Sequence, residues 1–195
     1  MGGNLRIALF GGSFDPVHNG HLHLALSARK ENDLSVVIFV PAKTPPHKLK
    51  HKLTPVAHRL RMLSLALRPH PYFGLSHYEV NQKTTTYTYQ TVTHFKELYP
   101  SAELYFIIGS DSLAELHTWK QIAVLQTLCT FLVGRRAGTP QQEPAFMPQS
   151  TRFIEEPMLP TSSTEVRKLV SRGESIEHLV APSIDKYISE HGLYR

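Results

Sequence analysis

The chain has 195 residues, 41% of them hydrophobic and 19% charged, a composition typical of one globular domain that excludes a disordered chain, a collagen and a coiled coil. Lys and Arg number 21 against 16 Asp and Glu, so the formal charge is +5, which favours an anionic partner, either a small phosphorylated ligand or a nucleic acid. The apolar runs are short, no cationic leader precedes them, and the single cysteine, Cys129, has no disulfide partner, so we expect a cytoplasmic protein without a membrane span or secretory signal.

Strand and helix patterns alternate along the first half of the chain. Residues 5–10 (LRIALF) form an apolar run that predicts a buried strand, which the following GGSFDP turn ends. Apolar residues at three- and four-residue steps predict a helix from Asn19, and the run 34–40 predicts a second strand. A loop over 41–54 then precedes an amphipathic helix that starts at Pro55.

The second half continues the alternation. The sequence predicts strands over 72–76, 103–108, 127–133 and 151–154, helices over 87–99, 163–171 and 183–191, one or two helical turns over 112–125, stop signals at Gly173 and Gly192, and a mobile surface loop over 135–149. This rhythm predicts an α/β fold with a Rossmann-like, doubly wound parallel sheet and helices on both faces, in a single domain. Ligands bind at the carboxyl ends of such strands, so the loops after Phe10, Val40 and Ile108 are expected to face one site.

The loop after the first strand, GGSFDPVHNGH, combines glycines with two histidines at the start of a helix. Glycines let a ligand approach the backbone, and the free N–H groups and positive dipole end of the helix favour phosphate. His18 and His21 are three residues apart, so both can donate hydrogen bonds to one phosphoryl group. The loop matches neither the G-x-G-x-x-G fingerprint nor a Walker A loop. Histidine pairs also bind zinc, but no thiolate or carboxylate is suitably spaced, and we expect no metal site in the protein.

Two other loops carry candidate ligand contacts. Lys48, after the second strand, could meet the outer phosphates of a nucleotide or could belong to a solvated lysine-rich loop. Gly109 and Asp111 follow the strand over 103–108, where a carboxylate can accept hydrogen bonds from ribose hydroxyls. Trp119, the only tryptophan, could stack on an aromatic ring or belong to the core.

A further anion site is predicted near the end of the chain. Ser162 to Glu165 match a capping box, with Ser162 as N-cap and Glu165 reaching back, so a helix begins here. Arg167 lies in the next turn, where a guanidinium can bracket a phosphate bound at the helix start. Without Arg167 the segment would be an ordinary helix cap.

These segments together resemble the HxGH nucleotidyltransferases, and within them the branch that adenylylates nicotinate mononucleotide. The similarity covers nearly the whole chain: GGSFDPVHNGHL at 11–22, VPAKTPPHK at 40–48, HRLRML at 58–63, TYTYQTV at 86–92, IIGSDSL at 107–113 with Trp119, and TSSTEVR at 161–167. The first and last motifs are specific to the superfamily, and the middle ones favour the pyridine-nucleotide branch.

The resemblance implies one nucleotidyltransferase domain over residues 1–195, with the C-terminal helices (about 160–195) packed against the nucleotide site. It implies transfer of AMP from ATP to nicotinate mononucleotide, which gives nicotinate adenine dinucleotide and pyrophosphate in NAD biosynthesis. The expected partners are these two substrates, with Mg²⁺ bound to ATP, no nucleic acid and no membrane. The expected assembly is a monomer or a weak homo-oligomer.

The resemblance also implies roles for individual residues. The catalytic phosphate-binding groups would be His18, His21, Lys48 and Arg167; the other ATP contacts would be Gly11, Ser13, Phe14, Gly109, Asp111, Ser163 and Thr164; and the nicotinate pocket would be Thr86, Tyr87 and Trp119. The chain departs from the family pattern Tyr-Thr-x-Asp-Thr at Gln90.

Two other functions fit parts of the sequence. One is another HxGH adenylyltransferase, with phosphopantetheine or nicotinamide mononucleotide as the acceptor. The other is a non-catalytic nucleotide-binding or nucleic-acid-binding module, which the charge of +5 would suit. Release of pyrophosphate from ATP only in the presence of nicotinate mononucleotide separates the three.

Overall fold

The computed structural model describes residues 4–43, 53–136 and 146–195. The strands are β1 (Arg6–Gly12), β2 (Val36–Pro41), β3 (Phe73–Leu75), β4 (Glu103–Gly109), β5 (Thr130–Arg136) and β6 (Thr151–Met158). The helices are α1 (Asn19–Glu31), α2 (Val56–Leu67), α3 (Thr88–Leu98), α4 (Ser110–Ala114), α5 (Ile122–Leu128), α6 (Ser163–Ser171) and α7 (Pro182–Glu190), with a 3₁₀ turn over Leu116–Thr118. The predicted alternation of strands and helices is confirmed.

The strands form one parallel sheet in the order β3-β2-β1-β4-β5-β6. Successive residues of a strand point to opposite faces, so a sheet that is covered on both sides has apolar residues at every position. On β1, Ala8 and Phe10 belong to a core shared with α1, α2, α6 and α7, whereas Ile7 and Leu9 belong to a second core shared with α3, α4 and α5. The predicted doubly wound sheet with helices on both faces is therefore confirmed.

The centre of the sheet brings three loops together. β1 lies between β2 and β4, with Gly12 paired to Pro41 and Phe10 paired to Ile107. The chain winds from β1 outward to β3 on one side and from β4 outward to β6 on the other, so the switch point lies between β1 and β4. Ligands of doubly wound sheets bind at this point, outside the carboxyl ends of the strands. The loops after Phe10, Val40 and Ile108 start there, as predicted.

Short helical turns are present in the stretch 112–125, as predicted, but they start and end at other residues. α4 starts two residues earlier, and Asp111 lies in its first turn, where a carboxylate interacts favourably with the helix dipole. Gln121 has a left-handed backbone (φ 57°), which interrupts the helical path between the 3₁₀ turn and α5. α5 then runs to Leu128 and takes the first residues of the strand predicted over 127–133.

The last two strands are longer than predicted. β5 extends to Arg136, so the start of the loop predicted over 135–149 is strand, and part of that loop lies outside the described residues. β6 continues past Ile154 to Met158 because it stays paired with β5, although the register shifts between Gly134 and Arg136. The ends of β5 and β6 are set by pairing with a neighbouring strand, and local sequence carries no information about that pairing.

The ends of α6 and α7 follow the predicted signals. The Ser162 hydroxyl accepts a hydrogen bond from the Glu165 N–H at 3.1 Å, which makes Ser162 the N-cap of α6. Gly173 and Gly192 adopt the left-handed backbone (φ 70° and 59°) that ends a helix and that glycine adopts without strain.

Cys129 is a buried free thiol. Burial raises its pKa to about 12, so the thiol stays protonated and is a poor nucleophile. Over the three described ranges, no helix is both long enough and apolar enough to cross a membrane.

Candidate active site

His18 and His21 form a pair of stacked rings at the start of α1. Their ring centroids are 3.7 Å apart and their planes differ by 31°. The His18 N–H donates to Nδ1 of His21 at 3.3 Å, so in the neutral His21 ring the proton lies on Nε2. His18 precedes the first helical residue and His21 lies in the first turn, which places the two imidazoles on one face of the helix start. The arrangement predicted from their spacing is therefore present.

His18 is buried, with 6% of its surface exposed. Burial lowers its pKa to about 4, so the ring is neutral at pH 7. Its Nδ1 has no hydrogen-bond partner within the described residues. A buried lone pair without a partner costs less than a buried N–H without one, which favours the tautomer with the proton on Nε2. His18 is thus a neutral donor.

Close packing explains why position 20, between the two histidines, is glycine. A Cβ built on Gly20 would lie 3.0 Å from Nδ1 and 3.1 Å from Cε1 of His18, closer than a side chain tolerates without moving the ring. The His18 ring therefore packs on bare backbone. At the end of β1, a Cβ on Gly11 would lie 3.1 Å from Cζ of Phe106, so close packing also accounts for glycine there.

Phe14 supports the second imidazole. Its ring is 1% exposed and meets the His21 ring edge-on, with centroids 5.0 Å apart. Phe10 also contacts His21, at 5.9 Å between centroids. Phe14 has a left-handed backbone (φ 47°), which is rare for a bulky residue and persists only where the surrounding structure imposes it. Phe14 thus contributes buried ring packing in addition to the backbone that the sequence assigned to ATP.

α6 joins the site through the residues predicted for it. The Ser163 hydroxyl donates to the Pro16 carbonyl at 2.9 Å, and Nη1 of Arg167 donates to the Asp15 carbonyl at 2.7 Å. Nη2 of Arg167 also donates to the Thr164 hydroxyl at 3.4 Å. The start of α6 and its guanidinium therefore lie against the backbone that leads to His18.

Sequence reasoning missed Arg59, a buried arginine of α2 with 1% of its surface exposed. Its Nη1 donates to the carbonyls of Ser13 and Ala42, both at 2.8 Å, and its other nitrogens donate to the carbonyls of Thr54 and Lys43. One side chain thus joins the loop after β1 to the loop after β2. Its place in HRLRML, which reads as an ordinary amphipathic helix, gave no signal of this role.

The structure links the segments that carry the proposed nicotinate residues through one side chain. Nζ of Lys120, next to Trp119, lies 4.4 Å from the centre of the Tyr87 ring, which joins the start of α3 to the segment before α5. Trp119 is half-buried and meets Phe106 edge-on, with ring centroids 6.0 Å apart. Thr86 is half-buried and directly precedes Tyr87.

Gln90, the departure from the family pattern, caps α3. Its Oε1 accepts a hydrogen bond from the Tyr87 N–H at 2.9 Å, and a glutamine three residues into a helix commonly does this. The segment before α3 is anchored as well: the Thr91 hydroxyl donates to Oε1 of Glu79 at 2.6 Å, and Nζ of Lys43 donates to the Gln82 carbonyl at 2.7 Å.

The remaining predicted residues lie at the edge of the site or outside the described residues. Gly109 ends β4 beside Gly134 of β5, and a Cβ there would come no nearer than 3.8 Å to a neighbour, so packing does not require glycine. Asp111 is exposed in the first turn of α4. Lys48 lies outside the described residues.

The imidazoles, the start of α1 and Arg167 all meet at the switch point of a doubly wound sheet. Imidazole and guanidinium donors at that position bind phosphate groups, so the fold and the site define a nucleotide-binding α/β protein. No group of three or more His, Cys, Asp or Glu that could hold a metal ion occurs in the part of the chain that the structure describes.

Comparisons with known proteins narrow this class. The cytidylyltransferase-like family matches residues 9–169. A Clostridium tetani protein named "Probable nicotinate-nucleotide adenylyltransferase" is 37% identical over 196 residues, which cover 96% of this chain and 98% of that protein. A Thermomicrobium roseum protein of the same name is also 37% identical, over 97% of this chain and 92% of its own length.

Solved structures agree on the fold. A Plasmodium falciparum nicotinic acid mononucleotide adenylyltransferase complexed with NaAD has a TM-score of 0.83 and 23% sequence identity, with 98% of each chain covered. The same enzyme complexed with APC has a TM-score of 0.81 and the same identity and coverage. The chain belongs to the cytidylyltransferase-like family and, within it, to the group of the nicotinate-nucleotide adenylyltransferases.

Proposed function

We propose that this chain transfers AMP from ATP to nicotinate mononucleotide, with nicotinate adenine dinucleotide and pyrophosphate as products. The observation that carries the proposal is the stacked His18 and His21 pair, 3.7 Å between centroids, at the switch point of the sheet. The full-length relatives that carry the name of this activity support it.

The reaction needs no general base from the protein. The attacking group is a phosphate oxygen of nicotinate mononucleotide, whose second pKa of about 6 leaves it largely dianionic at pH 7. This oxygen forms a bond to the α-phosphorus of ATP, and the bond from that phosphorus to the β-phosphate bridging oxygen breaks. Pyrophosphate leaves with the electron pair. The protein must align the two phosphates and stabilise the charge on the transferred and departing groups.

Different residues of the site would bind the phosphates, supply positive charge and hold the nicotinate ring. His18 and His21 would donate hydrogen bonds from Nε2 to the ATP phosphates, and His18 does so as a neutral ring because burial lowers its pKa to about 4. Positive charge would come from Arg167 and Lys48. Thr86, Tyr87 and Trp119 would hold the nicotinate ring beside Lys120, and Gly109 and Asp111 would lie near the nucleotide sugar.

The proposal also covers the metal ion, the cellular compartment and the oligomeric state of the enzyme. Mg²⁺ would enter bound to the ATP phosphates as part of that substrate, because Mg²⁺ binds phosphate oxygens and keeps several of its waters. We further propose a cytoplasmic enzyme that is a monomer or a weak homo-oligomer.

A substrate panel tests the proposal. ATP and Mg²⁺ are incubated with nicotinate mononucleotide, nicotinamide mononucleotide, phosphopantetheine or no acceptor, and pyrophosphate release is measured. The proposal predicts the fastest release with nicotinate mononucleotide and none without an acceptor. Faster release with phosphopantetheine would assign the chain to another HxGH adenylyltransferase. No release with any acceptor would leave a nucleotide-binding module.

A further inference from the structure

Two bulky residues with left-handed backbone flank one buried carboxylate. Phe14 (φ 47°) directly precedes Asp15, and Tyr194 (φ 65°) donates its hydroxyl to Oδ1 of Asp15 at 2.7 Å. Residues other than glycine seldom adopt this backbone, and they keep it only where their surroundings impose it, often at functional sites. Tyr194 and Asp15 are 179 positions apart in the sequence, so the contact between them is built by the fold.

Asp15 joins three separate segments of the chain. Its side chain is buried, and Oδ2 accepts a hydrogen bond from the Thr54 N–H at 3.2 Å, just before α2. Its carbonyl accepts from Nη1 of Arg167 at 2.7 Å, and its Oδ1 is held by Tyr194 in the segment after α7. Asp15 is three residues from His18. Its position therefore affects the imidazole pair and Arg167 together.

The Tyr194 hydroxyl is suited to hold a carboxylate. Leu193 and Tyr194 pack against the core that contains Phe14, which fixes the phenol ring. Burial raises the pKa of Tyr194, so its hydroxyl stays protonated and donates. A hydrogen bond from a neutral hydroxyl to a carboxylate is shorter and stronger than one between neutral groups.

We propose that Tyr194 is a positioning residue for ATP: through Asp15, its hydroxyl fixes the loop that carries His18 relative to Arg167. The inference rests on the proposed AMP transfer and adds a residue that contacts neither phosphate. The nicotinate residues lie on other segments and share no hydrogen bond with Asp15 within the described residues. Loss of the Tyr194 hydroxyl should therefore affect ATP much more than nicotinate mononucleotide.

The test compares Tyr194→Phe with Tyr187→Phe. Tyr187 also lies near the end of the chain, and its hydroxyl meets Nδ1 of His58 at 2.9 Å, so the control removes an equivalent hydroxyl without touching Asp15. Initial rates of pyrophosphate release are measured with each substrate varied, and circular dichroism melting checks the fold. We expect Tyr194→Phe to raise KM for ATP roughly tenfold and to leave KM for nicotinate mononucleotide within about twofold. Tyr187→Phe should leave both within about twofold.

Four results would overturn the inference: an unchanged KM for ATP, an equal rise in both KM values, the same change in Tyr187→Phe, or a Tyr194→Phe protein that does not fold. A fall in kcat with both KM values unchanged would also overturn the inference, because it reports a smaller fraction of active enzyme and not weaker binding of ATP. The unmodified protein is assayed first. Its failure to release pyrophosphate would reject the proposed function, a result distinct from any difference between the two variants.

Discussion

The ring of His18 packs directly on the backbone of Gly20: a Cβ added there would lie 3.0 Å from Nδ1. The middle of the HNGH motif thus has a steric explanation that is separate from the chemistry of its histidines. A methyl group at this position must displace the ring by a few tenths of an ångström, and the ring's Nε2 would move with it.

Gly20→Ala is therefore expected to lower turnover roughly tenfold while the protein stays folded. A fall in activity without a fall in melting temperature would identify displacement of His18 as the cause. Ser27→Ala, at another buried position of α1, is the control and should keep its turnover. Normal turnover in Gly20→Ala would show that the exact place of the His18 ring does not matter.

His21→Ala tests the second imidazole. We expect turnover to fall by roughly 100-fold or more, because one preorganised donor to the transferred phosphate is lost. His23→Ala is the matched control, since His23 lies two residues further along α1 and contacts the Pro157 carbonyl at 3.1 Å. Its turnover should change little. Near-normal turnover in a folded His21→Ala protein would remove His21 from the mechanism.

The low pKa of His18 makes stability depend on pH. The unfolded chain takes up a proton near the ordinary histidine pKa of 6.5, whereas the folded chain does so only near pH 4. Stability therefore falls as pH decreases through this window, by about 2 kcal/mol between about pH 7 and pH 5 from this group alone. The His18→Gln variant lacks this titrating group. Subtracting its loss of stability from that of the unmodified protein removes the contribution of the other histidines.

Urea unfolding of both proteins at the two pH values measures the effect. The unmodified protein should lose about 2 kcal/mol more than His18→Gln on acidification. Equal losses would mean that His18 has the same pKa in the folded and unfolded states, which contradicts a buried neutral ring.

Trp119→Ala tests the nicotinate pocket. The KM for nicotinate mononucleotide should rise roughly tenfold through loss of ring stacking, with little change in the KM for ATP. Trp119→Phe keeps an aromatic ring beside Phe106 and should recover much of the loss. An unchanged mononucleotide KM in Trp119→Ala would assign the indole to the core alone.

Local sequence predicted the parts of the fold that depend on local physics. The apolar run located β1, and helix stop signals located the ends of α6 and α7, because each depends on a few neighbouring residues. The predicted end of β1 at Phe10 was wrong: the strand continues through Gly11 and Gly12, which pair with β2. The extent of β6 was missed, since its last residues are held by pairing with β5. The position of the break at Gln121 was not predicted, since glutamine carries no signal for a left-handed backbone.

For the candidate site, too, the sequence predicted the local arrangement and missed the long-range contacts. The spacing of His18 and His21 predicted their common face, because both belong to one helix start. The contacts of Arg59 with four carbonyls, and of Asp15 with Tyr194, join segments far apart in sequence. No spacing rule predicts such contacts, because the segments that make them come together only when the sheet has formed.

The guanidinium of Arg59 has a mechanical consequence. Because it donates to the carbonyls of Ser13 and Ala42, both at 2.8 Å, it holds these two residues against α2. A displacement of Ser13 therefore disturbs Ala42 as well, which couples the turn before His18 to the end of β2.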